Sequence, residues 1–268
     1  MTDAIPSSSD ELVVLNGRLT PVDQAFVSVA DHGFLRGDGV FEALRVYAGV
    51  PFGVEQHLAR LERSASGVRL DGVDVDLLRA EIAQIIAARG GADYALRIIC
   101  TRGGSRLVMT EAIADYPEAV RLGYVTYQPT VVLSGLKTLS YAGNVLASRL
   151  AQERGFDEAL LVTPNHEVLE APTASLFWVD ADNRLVTPPL GDGILASITR
   201  QALIDLMDVD QRVTLADDLL SAREAFLCSS IREVQSIGRI ESIEFEAPGP
   251  LTSQASELLS KHIQASII

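Results

Sequence analysis

Lysine is almost missing from this chain. Of its 22 basic residues only two, Lys137 and Lys261, are lysines, so arginine carries nearly all the positive charge. Cysteine is as scarce: Cys100 and Cys228 each sit in an apolar run, which excludes a disulfide framework and predicts two buried thiols. The histidines His32, His57, His166 and His262 are scattered without ligand spacing, so no metal site is expected. A net charge of -14 with no basic stripe argues against nucleic acid as a partner. No charged leader precedes an apolar stretch, and no apolar run is long enough to span a bilayer, so the expectation is a soluble cytoplasmic protein. What the chain does have is 268 residues at 47% hydrophobic content, enough to bury a large core in one or two domains.

Scarcity makes Lys137 informative. It follows Val131, Val132 and Leu133, precedes Thr138, Leu139, Ser140 and Tyr141, and no acidic residue lies between Tyr127 and Gln152. Such surroundings favour a neutral amine, and a neutral lysine can attack a carbonyl and form a Schiff base, which arginine cannot. The alternative is a lysine that snorkels at a strand end.

The rest of the chain reads as alternating helices and strands. Residues 2–11 are polar and serine-rich. Leu12 to Leu15, the turn Asn16-Gly17 and Arg18 to Thr20 predict a hairpin, because Asn-Gly supplies the dihedrals of a type I′ turn. Three glycines at 33, 37 and 39 precede a strand pattern from Val40 to Tyr47; no helix follows them at once, which speaks against a phosphate loop. Helical periodicity covers 55–70 and 76–89, followed by strands over 94–101 and 107–110. Residues 113–119, with Pro117 in a weak pattern, suit a linker, and a strand over 121–127 opens the second domain. After Tyr141 a helix groups Val145, Leu146, Leu150 and Ala151 and ends at Gly155. Strands are expected over 159–163, 167–170, 175–179, 185–187 and 225–228, with a helix beginning near Ser197 and Thr199 and another over 253–264.

The run Lys137-Thr138-Leu139-Ser140-Tyr141, then Asn144-Val145-Leu146-Ala147, Gly155-Phe156-Asp157-Glu158-Ala159, Glu170-Ala171-Pro172-Thr173, Thr187-Pro188-Pro189 and Ile198-Thr199-Arg200 resembles the class IV aminotransferases. These are the fold type IV enzymes of pyridoxal phosphate: branched-chain and D-amino acid aminotransferases, (R)-amine transaminases and aminodeoxychorismate lyase. The resemblance covers almost the whole chain. It implies an α/β (α+β) fold of two domains, a small α/β domain over 1–112 and a larger barrel-like one over 120–268, with pyridoxal 5′-phosphate in the cleft between them. It also implies a homodimer.

By the same resemblance Lys137 would form the Schiff base and shuttle the substrate proton. Glu170 would face the pyridine nitrogen and Tyr141 the phenolic oxygen, while Arg60, the backbone of Ile198 and Thr199, and the hydroxyl of Ser230 would hold the phosphate. A guanidinium suits a dianion, and helix-start N–H groups suit a phosphate. Arg36, Phe41, Arg97 and Arg106 would line the substrate side. Ser197 departs from the glycine common there, and Arg36 and Ala95 stand where branched-chain enzymes usually offer tyrosine. The implied reaction moves an amino group between an amino acid or primary amine and a 2-oxo acid. The alternative is aminodeoxychorismate lyase, whose two substrate carboxylates Arg97 and Arg106 would clamp together; a remote one is a binding protein without catalysis.

Overall fold

The computed structural model describes residues 11–267 and divides the chain into two compact units. The first runs to Ala114 and also takes in Leu136–Ser140; the second holds Asp115–Gly135 and Tyr141–Ser266. The short piece carrying Lys137 therefore groups with the first unit, although in sequence it lies well inside the span expected for the second domain.

In the first unit β1 (Leu12–Leu15) and β2 (Arg18–Pro21) form the expected hairpin, with Asn16 and Gly17 both at positive φ, 48° and 84°. A helix not expected from the sequence, α1 (His32–Arg36), follows; Asp31 caps it through the Gly33 N–H. Then come β3 (Gly39–Tyr47), β4 (Val50–Pro51), α2 (Val54–Gly67), α3 (Val75–Arg89), β5 (Tyr94–Thr101) and β6 (Arg106–Glu111). The strands make one antiparallel sheet in the order β2-β1-β6-β5-β3-β4. Alternation sets its two faces. Val40, Leu44, Val46, Leu96, Ile98, Cys100 and Val108 pack with Leu58 and Leu61 of α2 and Leu78, Ile82 and Ile85 of α3. Phe41, Ala43, Arg97, Leu107 and Met109 belong to the opposite face.

The second unit comprises β7 (Ala119–Thr126), α4 (Ala142–Glu153), β8 (Glu158–Val162), β9 (Ser175–Val179), β10 (Leu185–Thr187), α5 (Ile198–Leu206), β11 (Val209–Gln211), β12 (Glu224–Ser229), β13 (Glu233–Ile240), β14 (Ile243–Glu244) and α6 (Pro250–Ser266). Its mixed sheet runs β11-β10-β9-β12-β13-β7-β8, with β14 on β13. The expected strand over 167–170 is only two isolated bridges, Val162 with Val168 and Glu167 with Leu215. These carry the pairing from β8 round to residues just beyond β11, so the sheet curls in the barrel-like manner. Its core includes Leu122, Leu160, Leu176, Trp178, Val186, Leu227 and Ile237. On the alternate positions Phe177 and Phe226 stack with ring centroids 5.0 Å apart.

Helix α4 differs from its sequence reading. Ala147 and Ala151 are the buried residues, whereas Val145, Leu146 and Leu150 are exposed. The small side chains let the helix axis approach β7 and β8, and that turns the larger apolar residues outward. Among the described residues no helix is long and apolar enough to cross a membrane.

Candidate active site

Lys137 is fixed by its backbone. The segment around it lies against the start of β3 as a short antiparallel ladder: Phe41 N–H donates to the Lys137 carbonyl (3.2 Å) and Leu139 N–H to the Gly39 carbonyl (2.9 Å), around a bridge between Val40 and Thr138. The Lys137 N–H donates to Ser64 Oγ of α2 at 3.1 Å. Glycine is required at 39 for this approach, since a Cβ there would stand 2.6 Å from the Cys100 carbonyl oxygen and 2.7 Å from Leu139 Cδ1. The bridge sets Lys137 on the face of Phe41, and Nζ lies 4.3 Å from the centroid of that ring.

Beneath this, on the helix side of β3, is a buried charge cluster. Glu42 occupies an apolar row between Val40 and Leu44 and is fully buried, as is His57; Arg60 is nearly so. Arg60 donates through Nε to Glu42 Oε1 (2.7 Å) and through Nη2 to Oε2 (2.6 Å), and His57 Nδ1 lies 2.8 Å from Oε2. Burial pushes the Glu42 carboxyl up, but the hydrogen bonds and charge of Arg60, with those of His57, outweigh it and hold the pKa at about 2. Burial, aided by the charges of Arg60 and Lys137, holds the His57 imidazole below its ordinary value, against the pull of Glu42. Glu42 and His57 were not picked out from the sequence; the signal was an acid at a core-facing position of an alternating strand.

The four residues expected on the substrate side do not gather together. Phe41 and Arg97 share a face, with Arg97 Cζ 5.5 Å from the Phe41 centroid. Arg97 donates to Glu111 through Nε (2.6 Å) and Nη2 (2.9 Å). Arg106 lies opposite Cys100 in the register, which places it on the other face, where it is held bidentately by Glu81 of α3 at 2.8 and 2.7 Å. Arg97 and Arg106 therefore form no common clamp, because their positions in the ladder differ in parity. Arg36 is exposed in the last turn of α1.

In the second unit Tyr141 precedes α4 and donates through its hydroxyl to the Pro172 carbonyl, which also accepts from Asn144 Nδ2 at 3.1 Å. Glu170 is half-buried, and its Oε1 accepts the Leu195 N–H at 2.9 Å. Ser197 caps α5 by accepting from Arg200 N–H (3.2 Å), leaving the first-turn N–H groups of Ile198 and Thr199 to other acceptors. Thr199 Oγ1 and Ser230 Oγ lie 3.5 Å apart beside them. Cys228, at the end of β12, is fully buried, and burial raises its thiol pKa; Cys100 is pushed to about 12 for the same reason. Neither is a nucleophile.

Each unit taken by itself carries groups that suit an anionic aromatic cofactor with an aldehyde: the first a fixed primary amine and a buried guanidinium, the second a helix start with adjacent hydroxyls and a carboxylate. Similarity to known proteins agrees with this chemistry. A model of the family "Amino-transferase class IV" matches residues 39–240. The D-alanine aminotransferase of Bacillus licheniformis is 27% identical, over 94% of this chain and 96% of that protein. A putative branched-chain-amino-acid aminotransferase of Methanocaldococcus jannaschii is 31% identical over 91% and 94%. The aminodeoxychorismate lyase of Bacillus subtilis is 26% identical over 93% and 94%. Among solved structures, the PLP-bound form of a hypothetical aminotransferase from Mycobacterium tuberculosis superposes with a TM-score of 0.86 at 25% identity, covering 95% of this chain and 99% of that one.

Proposed function

Because the chain belongs to the class IV aminotransferases, enzymes dependent on pyridoxal phosphate, we propose that it exchanges an amino group between an amino acid or primary amine and a 2-oxo acid, with Lys137 as the residue that bonds the cofactor. One observation carries the assignment of the lysine: its backbone is fixed on both sides, N–H to Ser64 and carbonyl to Phe41, so Nζ has a defined origin above the Phe41 ring. Lys261, by contrast, is exposed on α6 and paired with Glu257.

Pyridoxal phosphate supplies an electron sink for the carbanion left when a substrate Cα–H bond breaks. This chain's residues do the rest. Lys137 Nζ takes up that proton and returns it. Arg60, the N–H groups of Ile198 and Thr199, and the Ser230 hydroxyl would hold the phosphate. Glu170, oriented by the Leu195 N–H, would keep the ring nitrogen protonated, and Tyr141, whose hydroxyl here donates to the Pro172 carbonyl, would turn that proton to the phenolic oxygen.

The reading extends to a homodimer acting in the cytoplasm. Its support is exposed apolar surface, with Phe26 82%, Val29 77% and Phe34 69% accessible within one short stretch of the first unit. A monomer in sedimentation at working concentration would refute the dimer. The lyase reading keeps the Arg36–Glu42 motif and the Bacillus subtilis relative in its favour, but a clamp of Arg97 and Arg106 on two carboxylates is not among its supports, because the two lie on opposite faces. The reaction is tested by mixing the yellow holoenzyme with L- and D-amino acids and (R)-amines and following its conversion to the pyridoxamine form. Silence with every donor, with pyruvate released from aminodeoxychorismate, would overturn the transaminase assignment.

A further inference from the structure

The face of the first unit that carries Lys137 also carries one bidentate ion pair. Arg97 and Lys137 approach the same Phe41 ring, at 5.5 and 4.3 Å from its centroid, so a substrate whose Cα–H bond is broken beside Nζ has the Arg97 guanidinium on the same face of the sheet. Opposite Arg97 on β3 stands Ala43, a small side chain. An arginine in this place is suited to a distal substrate carboxylate. Here, however, that position is taken by the protein itself. Glu111, from β6, accepts from both Nε and Nη2, and the pair is only about one-third exposed, with side chains 34% and 30% accessible.

We propose that Glu111 is a specificity-determining residue: by neutralising Arg97 it closes this face to a second substrate carboxylate and restricts the enzyme to substrates with uncharged side chains. The proposal rests on the transaminase reading and names its substrate class. The physical reason is charge balance. A distal carboxylate would have to displace Glu111 from the fork or sit beside it as a second anion in partly water-excluded surroundings, where like charges repel more than in bulk water. A neutral side chain meets only the paired guanidinium, Phe41 and Ala43. Two further arginines of the sheet offer no substitute: Arg45 is near Asp93 and over the Tyr47 ring, and Arg106 is held by Glu81 on the opposite face.

The test uses Glu111→Gln, which keeps the shape and one hydrogen bond while removing the charge, and the double variant Arg97→Gln/Glu111→Gln. The first readout is kcat/KM for glutamate relative to alanine, taken for both enantiomers. In E111Q this ratio is expected to rise about tenfold or more, the scale of one charge-assisted hydrogen bond, and to fall back in the double variant. A ratio unchanged in E111Q, or wild-type enzyme already preferring glutamate, would overturn the proposal. The second readout needs no turnover: calorimetric binding of glutarate, an inert dicarboxylate, is expected for E111Q and not for the wild type or the double variant. Equal glutarate binding by all three would likewise overturn it. An enzyme inert to every amine donor would instead sink the transaminase reading, while the glutarate result would still decide the role of Glu111.

Discussion

Replacing Glu42 by glutamine removes a single charge from the best-buried ion pair in the first unit. Glu42 is inaccessible to solvent, and its carboxyl is lowered from 4.5 to about 2, chiefly by Arg60 against the opposing effect of burial. That depression corresponds to about 3 kcal/mol of folding stability at neutral pH, at about 1.4 kcal/mol per unit. Glutamine also leaves the Arg60 guanidinium buried without a counter-charge, for which about 3–5 kcal/mol is typical. At about 2–4 °C per kcal/mol the melting temperature of the apoprotein should drop by about 10 °C. The pH dependence gives the sharper check. A carboxyl whose folded pKa is depressed stabilises above its unfolded value, near 4.5, and that contribution is lost as pH falls toward 2. Urea titrations of both proteins at pH 7, 5, 4 and 3 should therefore show a stability difference that is full at pH 7 and shrinks to less than about half by pH 3. A Glu42→Gln protein within about 1 kcal/mol of wild type at pH 7, or a difference that stays constant down to pH 3, would refute the reasoning.

Borohydride treatment of holoenzyme is expected to fix the cofactor on the peptide containing Lys137, as read by mass spectrometry. Lys137→Ala should abolish both labelling and turnover, and Lys261→Ala should change neither. Glu170→Gln is expected to lower kcat by about 100-fold with a smaller effect on cofactor affinity, measured by titrating apoprotein with pyridoxal phosphate. Glu224, buried at the start of β12, accepts from the Leu251 and Thr252 N–H groups and the Thr252 hydroxyl at the beginning of α6. Glu224→Ala should cost about 2 kcal/mol in urea unfolding, because it strands helix-start donors in the interior.

Local chemistry was the legible part of the sequence. Asn16-Gly17 suits a tight hairpin, and the run Leu176–Val179 is apolar at every position, as in a strand buried on both faces, which β9 is. Relations across elements were not legible. Whether Arg97 and Arg106 meet depends on the pairing of Cys100 with Arg106, a fact of register that neither residue carries. The periodicity of α4 placed Ala151 with Val145, Leu146 and Leu150 and could not say that Ala147 and Ala151, being small, would take the inner side. Glu42 was passed over because its meaning lies with His57 and Arg60 on α2, which only the packed unit brings within hydrogen-bond distance. In the candidate site, Lys137 stood out by its rarity and by the residues that follow it, whereas the ladder that fixes it is a pairing between residues nearly a hundred positions apart.

That ladder makes the length of the chain leading to Lys137 part of the chemistry. Side chains along an extended segment alternate between faces, and two hydrogen bonds to β3 decide which residue stands at which rung. A deletion of one residue between 130 and 136, compensated by a one-step slip along β3, would preserve nearly all of the fold and yet turn the amine toward the helices, with Thr138 in its place above Phe41. A two-residue change would restore the facing while moving the amine by two rungs. The segment thus acts as a reading frame for the amine proposed to bond the cofactor, and a library of small insertions and deletions there should show activity that follows odd and even length while expression and melting temperature stay nearly level.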